Sequence, residues 1–275
     1  MRGILIRNPT PMSSTSSLPI HVLLTNDDGV FAPGLFAVKT ELERAGHRVT
    51  VCAPERQRSA SGHSITLHKP LRIKQVAVED GSLAWATSGT PADCVSLGLY
   101  EICQNDPVQV VVSGMNHGPN LGWDVTYSGT VSAAMEAVIC GVPAIAVSAT
   151  SYDDEIHWTP GARYVAETLV PIVAKNGLPP VTLLNVNAPS LPQEQIRGVR
   201  LSTQGDRQYV DRLEKRFDPL GKPYWWLGGK IHSEETAEGT DTHTVGDGYI
   251  AVTPIHLDLT AHTFLRHLKS WDIER

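Results

Sequence analysis

The chain is poor in cysteine. Cys52, Cys94, Cys103 and Cys140 are its only four in 275 residues, each beside apolar neighbours, with no CxxC spacing. That excludes a zinc ribbon and the disulfide framework of a small secreted domain. It predicts buried free thiols in a reducing compartment, and hence a cytoplasmic protein. No apolar run approaches the roughly 20 residues of a membrane-spanning helix, so no membrane partner is expected. Positive charge is scarce, with 23 Lys and Arg against 29 Asp and Glu and a net charge of −6. This balance argues against a surface that coats a nucleic-acid polymer. Aromatic residues make up only 6%. Several catalytic signatures are missing as well. There is no GxxxxGK[ST], no GxGxxG after the first strand, no HExxH and no GxSxG. Acids after the first strand are adjacent rather than spaced as D-x-D.

What is present is a chain that is 41% hydrophobic and long enough for a sizeable core. Residues 1–19 carry Arg2, Arg7, no acid and the run Ser13-Ser14-Thr15-Ser16-Ser17. Without a long apolar segment they read as a flexible leader, or an early start, rather than a secretory signal. Val22–Leu24 reads as a buried strand, and Ala32–Ala45 as a helix with Pro33 in its first turn and Gly46 beyond its end. His47–Ala53 is a second strand, completing a right-handed βαβ unit. Pro54 opens a polar loop, Glu55–Ser64, followed by short β-like runs at Ile65–Leu67, Leu71–Val78 and Leu83–Thr87. Thr90, Pro91 and Asp93 form a capping-box start for a helix to about Cys103. Strands follow at Val108–Val112, Pro143–Ala149 and Val181–Val186, with helices from Ser128 to before Gly141 and over Pro160–Ala174.

Beyond Ile196 the pattern becomes β-rich. Strands are expected at Val199–Thr203, Tyr224–Gly228 and Gly246–Val252, with a solvated hairpin over Tyr209–Trp226 and a closing helix over Asp258–Trp271. The expected fold is α/β: a Rossmann-like, doubly wound, mostly parallel sheet over residues 20–195. Residues 196–275 form a β-rich extension. Exposure of Trp225 and Trp226 on that hairpin favours an oligomer.

The arrangement centres on Thr25-Asn26-Asp27-Asp28-Gly29. Inside a strand, one of two adjacent carboxylates would enter the core unpaired. The pair is therefore expected just past the strand, on a turn at the carboxyl edge of the sheet, where α/β proteins bind ligands. Adjacent negative charges suit a hard divalent cation such as Mg²⁺ or Mn²⁺. An Asx-turn capping the next helix is the alternative. Two other loops that follow strands, at Ser59 and at Asn116–Asn120, could bring hydroxyl and amide oxygens to the same edge. The small-residue helix start at Ser128-Gly129-Thr130 could attract phosphate through its free N–H groups and dipole, or be an ordinary capped helix. His63, in the Ser59 loop, is a candidate for proton transfer or contact with a leaving group. His117 and His256 read as hydrogen-bonding loop histidines, and Glu136 as either a supporting group or a solvated helix position.

Five stretches in order resemble the SurE survival-protein family. They are Thr25–Gly29, Ala53–Ser64, Gly89–Cys94, Ser113–Asn120 and Ser128–Glu136, and the likeness extends from about His21 to His256. The resemblance implies a divalent-metal-dependent phosphatase for nucleoside 5′- and 3′-monophosphates. A main activity on polyphosphate or other phosphomonoesters, or a non-catalytic nucleotide-binding protein, are the alternatives. It implies Asp27, Asp28, Ser59 and Asn116 as ligands of one divalent cation per subunit, with Asp27 and Asp28 acting in catalysis. Asn26, Gly62, Asn120, Ser128, Gly129 and Thr130 would line the phosphate pocket. It also implies a C-terminal extension swapped between subunits of a homodimer or homotetramer.

Overall fold

The structure is a computed structural model that describes residues 19–210, 213–227, 230–234, 237–271 and 273. The leader expected over residues 1–19 lies outside these except for Pro19. Its centre is a nine-stranded sheet. The first strand, β1 (His21–Thr25), is followed by helix α1 (Pro33–Arg44), β2 (Arg48–Pro54), the β3–β4 hairpin (Ile73–Ala77, Leu83–Thr87) and α2 (Pro91–Leu97). Then come β5 (Val110–His117), α3 (Gly129–Ile139), β6 (Ala144–Ala149), α4 (Trp158–Tyr164), α5 (Val170–Asn176) and β7 (Thr182–Ala188). The remainder is β8 (Val199–Leu201), β9 (Arg207–Val210), β10 (Leu213–Phe217), β11 (Pro223–Leu227), β12 (Lys230–Glu234), α6 (Asp241–Gly246), β13 (Ile250–His256) and α7 (His262–Leu268).

Strand order is β3-β4-β2-β1-β5-β6-β7-β13-β8. The six strands from β4 to β7 are all parallel, as the doubly wound expectation requires. β3 and β13 join antiparallel to their inner neighbours. From β1 the chain steps outward to β2 and β4, and from β5 it steps the other way to β6 and β7. The order therefore reverses between β1 and β5.

Alternation along the strands divides the core in two. Val22, Leu24, Val110 and Val112 pack under α1, α4 and α5, through Leu35, Val38, Leu42, Ala162 and Val170 among others. Leu23 and Val111 face α2 and α3 on the other side, against Val95, Val131, Ala134 and Ala137. Small residues let these helices sit close. A Cβ on Gly98 would lie 2.6 Å from a Leu23 methyl, and one on Gly34 would lie 2.1 Å from the Met115 carbonyl oxygen.

Several expectations are corrected. Ile65–Leu67 is not a strand, because the Thr66 N–H is taken by Asp93 Oδ1 at the capping box of α2. Strand β5 runs on to His117, with an irregularity between Ser113 and Asn116, so Asn116 lies in a strand end rather than a loop. The helix over 160–174 begins at Trp158 and passes through a wide turn at Val165–Leu169, just before Pro171, which has no N–H to donate. β8 lies parallel to β13 in the main sheet, and the hairpin is β10–β11. The late strand starts at Ile250 rather than Gly246, because Thr240 caps an unforeseen helix, α6, that is followed by Gly248 at φ 80°. Pro254 is tolerated in β13 because the strand pairs with β8 only as far as Val252.

Candidate active site

The reversal of strand order opens a crevice between the carboxyl ends of β1 and β5, the usual ligand position in such sheets. Asn26, Asp27 and Asp28 follow β1 directly. Asn26 makes the turn: its Nδ2 donates to the Gly29 carbonyl (3.0 Å) and its Oδ1 accepts from the Gly29 N–H (3.1 Å). The Asx-turn considered for the aspartates thus belongs to Asn26, which is fully buried, and both carboxylates stay available.

Asp27 is buried under the start of α3. Thr130 Oγ1 donates to its Oδ1. Gly129 is needed there, since a Cβ would lie 2.7 Å from both Asp27 Cβ and Asp27 Oδ2 and 3.0 Å from Ser61 Oγ. Burial pushes the Asp27 carboxyl up to about 6; the Thr130 hydroxyl opposes that rise and the neighbouring Asp28 charge adds to it. Asp28 is also raised by burial, against the pull of the His117 N–H, which donates to its Oδ2 (3.1 Å). No lysine or arginine pairs with either carboxylate among the described residues.

The Ser59 loop reaches the same edge. Gln57 Nε2 donates to Asp28 Oδ1 (3.2 Å) and to Ser59 Oγ (2.9 Å), so these two oxygens converge on one point. The Gly62 N–H donates to the Tyr127 carbonyl, fixing the loop to the entrance of α3. Ser128 caps α3 by accepting from the Val131 N–H (3.1 Å). Asn116 Nδ2 donates to the Gly118 carbonyl (2.8 Å) at the end of β5.

Asn120 is anchored deeper. Its Nδ2 donates to Ser148 Oγ (2.7 Å), its N–H to Asn187 Oδ1 (2.9 Å), and its carbonyl accepts from Asn185 Nδ2 and Asn187 Nδ2. His63 Nε2 lies 2.9 Å from Glu136 Oε2, and Ser96 Oγ donates to the other oxygen of Glu136. Glu136 is therefore a supporting group rather than a solvated helix position. His117 and His256 are hydrogen-bonding histidines, with the Asp153 carbonyl and the Asp258 N–H respectively.

Sequence reasoning passed over Gln57, Ser61, Ser148, Asn185 and Asn187. The last two had a signal: asparagines at i and i+2 put two amides on one face of an otherwise apolar strand, which demands a partner there. The donor chemistry fits a hard cation. Two carboxylates of raised pKa and the Ser59 hydroxyl meet at one edge, Asn116 ends the neighbouring strand beside His117, whose N–H reaches Asp28, and among the described residues the buried Ser61 Oγ has no hydrogen-bond partner.

Residues 22–211 match the family described as Survival protein SurE. A protein of Thermoanaerobacter pseudethanolicus named 5′-nucleotidase SurE is 47% identical over 255 residues, covering 93% of this chain and 99% of its own. One of the same name from Geobacter sulfurreducens is 46% identical over 254 residues, 92% of this chain and 94% of its own. The crystal structure of the SurE protein from Aquifex aeolicus superposes with a TM-score of 0.78 at 42% identity, covering 91% of this chain and 99% of the other.

Proposed function

The chain belongs to the survival protein SurE family, and from that premise and the geometry of the crevice we propose that it is a divalent-metal-dependent 5′-nucleotidase. It hydrolyses nucleoside 5′- and 3′-monophosphates to nucleoside and phosphate. The observation that carries this reading is the contact of Asp27 with the start of α3 at the switch point between β1 and β5. A paired-carboxylate cation site and an anion-attracting helix start thereby share one small space.

Asp27, Asp28, Ser59 and Asn116 would hold one Mg²⁺ or Mn²⁺ ion. When bound, the ion supplies a Lewis acid for the phosphoryl oxygens and lowers the pKa of water. The protein's own parts divide the remaining work. Thr130 fixes the orientation of Asp27, and Asn26 fixes the turn that presents both carboxylates. The backbone and dipole at Ser128-Gly129-Thr130, with Gly62 opposite, favour the charge that builds on the phosphoryl oxygens. Asn120 holds the floor of the pocket. His63, oriented by Glu136, stands as the candidate donor for the leaving nucleoside oxygen. In the balanced reaction water adds to phosphorus, the P–O ester bond breaks and the departing alkoxide takes a proton.

The four free cysteines, three of them buried, support a cytoplasmic location. No helix among the described residues is long and apolar enough to cross a membrane. The β10–β11 hairpin supports a homodimer or homotetramer built through a swapped extension, with residues 196–275 contributing to assembly.

Phosphate release from 5′- and 3′-nucleotides, polyphosphate and p-nitrophenyl phosphate tests the reading, after chelation and again with Mg²⁺ or Mn²⁺ restored. Metal-dependent release strongest with nucleoside monophosphates is expected. Release confined to polyphosphate changes the substrate class, and no release with any metal overturns the enzyme reading in favour of a nucleotide-binding protein.

A further inference from the structure

Asp241 is fully buried, yet it lies in α6, more than a hundred residues along the chain from the crevice loops. Its Oδ2 accepts from the Gly122 N–H (3.0 Å), and its Oδ1 from the Gly205 N–H (2.9 Å) and the Thr242 N–H (2.8 Å). Gly122 is gripped from the other side as well, where its carbonyl accepts from Gln204 Nε2 (2.7 Å). The approach is close enough that a Cβ on Gly122, at φ +52°, would lie 2.9 Å from the Gly205 carbonyl oxygen. Two residues on, Asp124 pairs with Arg207 (2.9 Å), both largely shielded from solvent. The Asp124 carbonyl then accepts the N–H groups of Tyr127 (3.0 Å) and Ser128 (3.1 Å), and Ser128 caps α3. Segment 120–128 is thus pinned at three points. Asn120 is held by β6 and β7, while Gly122 and Asp124 are held by residues from beyond position 200.

We propose that Asp241 is a positioning residue for phosphate binding: it clamps Gly122 to the C-terminal part of the chain and so sets the start of α3 against Asp27. The proposal rests on the phosphatase reading above. A carboxylate suits the task because it only accepts, and three N–H groups converge on it. An amide in its place turns an NH₂ toward an N–H, leaving a buried donor unsatisfied and pushing the loop away. The displacement travels through Asp124 to Ser128, so it reaches the anion-binding helix start before it reaches the aspartate pair.

The test is D241N in the full chain, with three readouts: Mn²⁺ affinity of the chelated protein, competitive inhibition by inorganic phosphate, and kcat for 5′-AMP. The account expects Mn²⁺ affinity within about twofold of wild type, phosphate inhibition weakened and kcat lowered, each by about 10- to 100-fold. D124N, whose carboxylate is less buried, should shift phosphate inhibition in the same direction by less, and it carries the test if D241N does not fold. Wild-type phosphate inhibition in a folded variant overturns the proposal. So does loss of Mn²⁺ and phosphate binding in equal measure, which is the mark of a merely structural role. If the wild-type protein releases no phosphate from 5′-AMP with any metal, the phosphatase reading falls first and the proposal with it.

Discussion

Asp27 carries an electrostatic load that the Thr130 hydroxyl relieves only in part. It is 4% exposed, beside a second carboxylate, and its pKa stands at about 6 against an ordinary 3.8. Keeping it ionised at neutral pH without a cation therefore costs on the order of 3 kcal/mol. D27N is expected to abolish turnover, lowering kcat by at least about 10³-fold, while raising the Tm of the metal-free protein by a few degrees. Calorimetry on chelated samples checks the second half, and an unchanged or lower Tm would show that the carboxylate is compensated in some other way. The carboxylates themselves were legible in the sequence, because adjacent acids after an apolar run have few places to go. Their keepers were not. That the Thr130 hydroxyl serves Asp27, and that Asn26 is occupied with Gly29, depends on which loops meet, and spacing along one chain does not contain that.

At the scale of elements, α3 is the piece whose position matters most. Its first residue has no room for a side chain, since a Cβ on Gly129 overlaps Asp27. G129A is expected to push the helix start off the carboxylate and lower kcat about 100-fold or more, with the far-ultraviolet circular dichroism unchanged. Normal turnover in that variant would mean that the contact is loose.

A second link between elements is electrostatic. Lys39 on α1 is 4% exposed and reaches Asp80, in the β3–β4 turn, at 2.6 Å. Its hydrogen bond to Lys39 holds the Asp80 carboxyl well below the usual range. A depressed folded-state pKa means stability that is present above the unfolded value and is lost as pH falls through the folded one. D80N should therefore lower Tm at pH 6–7, and the deficit should shrink below about pH 4. A deficit that stays constant down to pH 2 would assign the effect to packing.

Most helices and parallel strands could be read from periodicity and caps, and the capping box at Thr90 and Asp93 formed as expected. What escaped were elements whose signals competed. Asn116 looked like loop but sits in a strand, and the capped helix at Thr240 was hidden by the glycines that end it.

For the whole molecule, the decisive fact is the order of strands. The reversal between β1 and β5 makes one crevice out of loops that are ninety residues apart, and no local pattern states it. The apolar face of the β10–β11 hairpin is the other global feature. Leu213, Phe217 and Trp225 fall on one side of it, at 66, 62 and 53% exposed, with the Lys215 ammonium lying over the Phe217 and Trp225 rings, while Glu214 and Arg216 take the other. Trp226, also exposed, lies with Glu214 and Arg216, so the two tryptophans face opposite ways. F217S combined with W225S is expected to shift the protein to monomers in sedimentation analysis. An unchanged mass would place the subunit contact elsewhere.

The most direct test of the central claim is Mn²⁺ binding by electron paramagnetic resonance in wild type, D27N and D28N, with phosphate release from 5′-AMP measured on the same samples. The account predicts one tightly bound ion per chain in wild type, and loss of both binding and turnover in each variant. Either variant retaining the ion and near-normal turnover would contradict it.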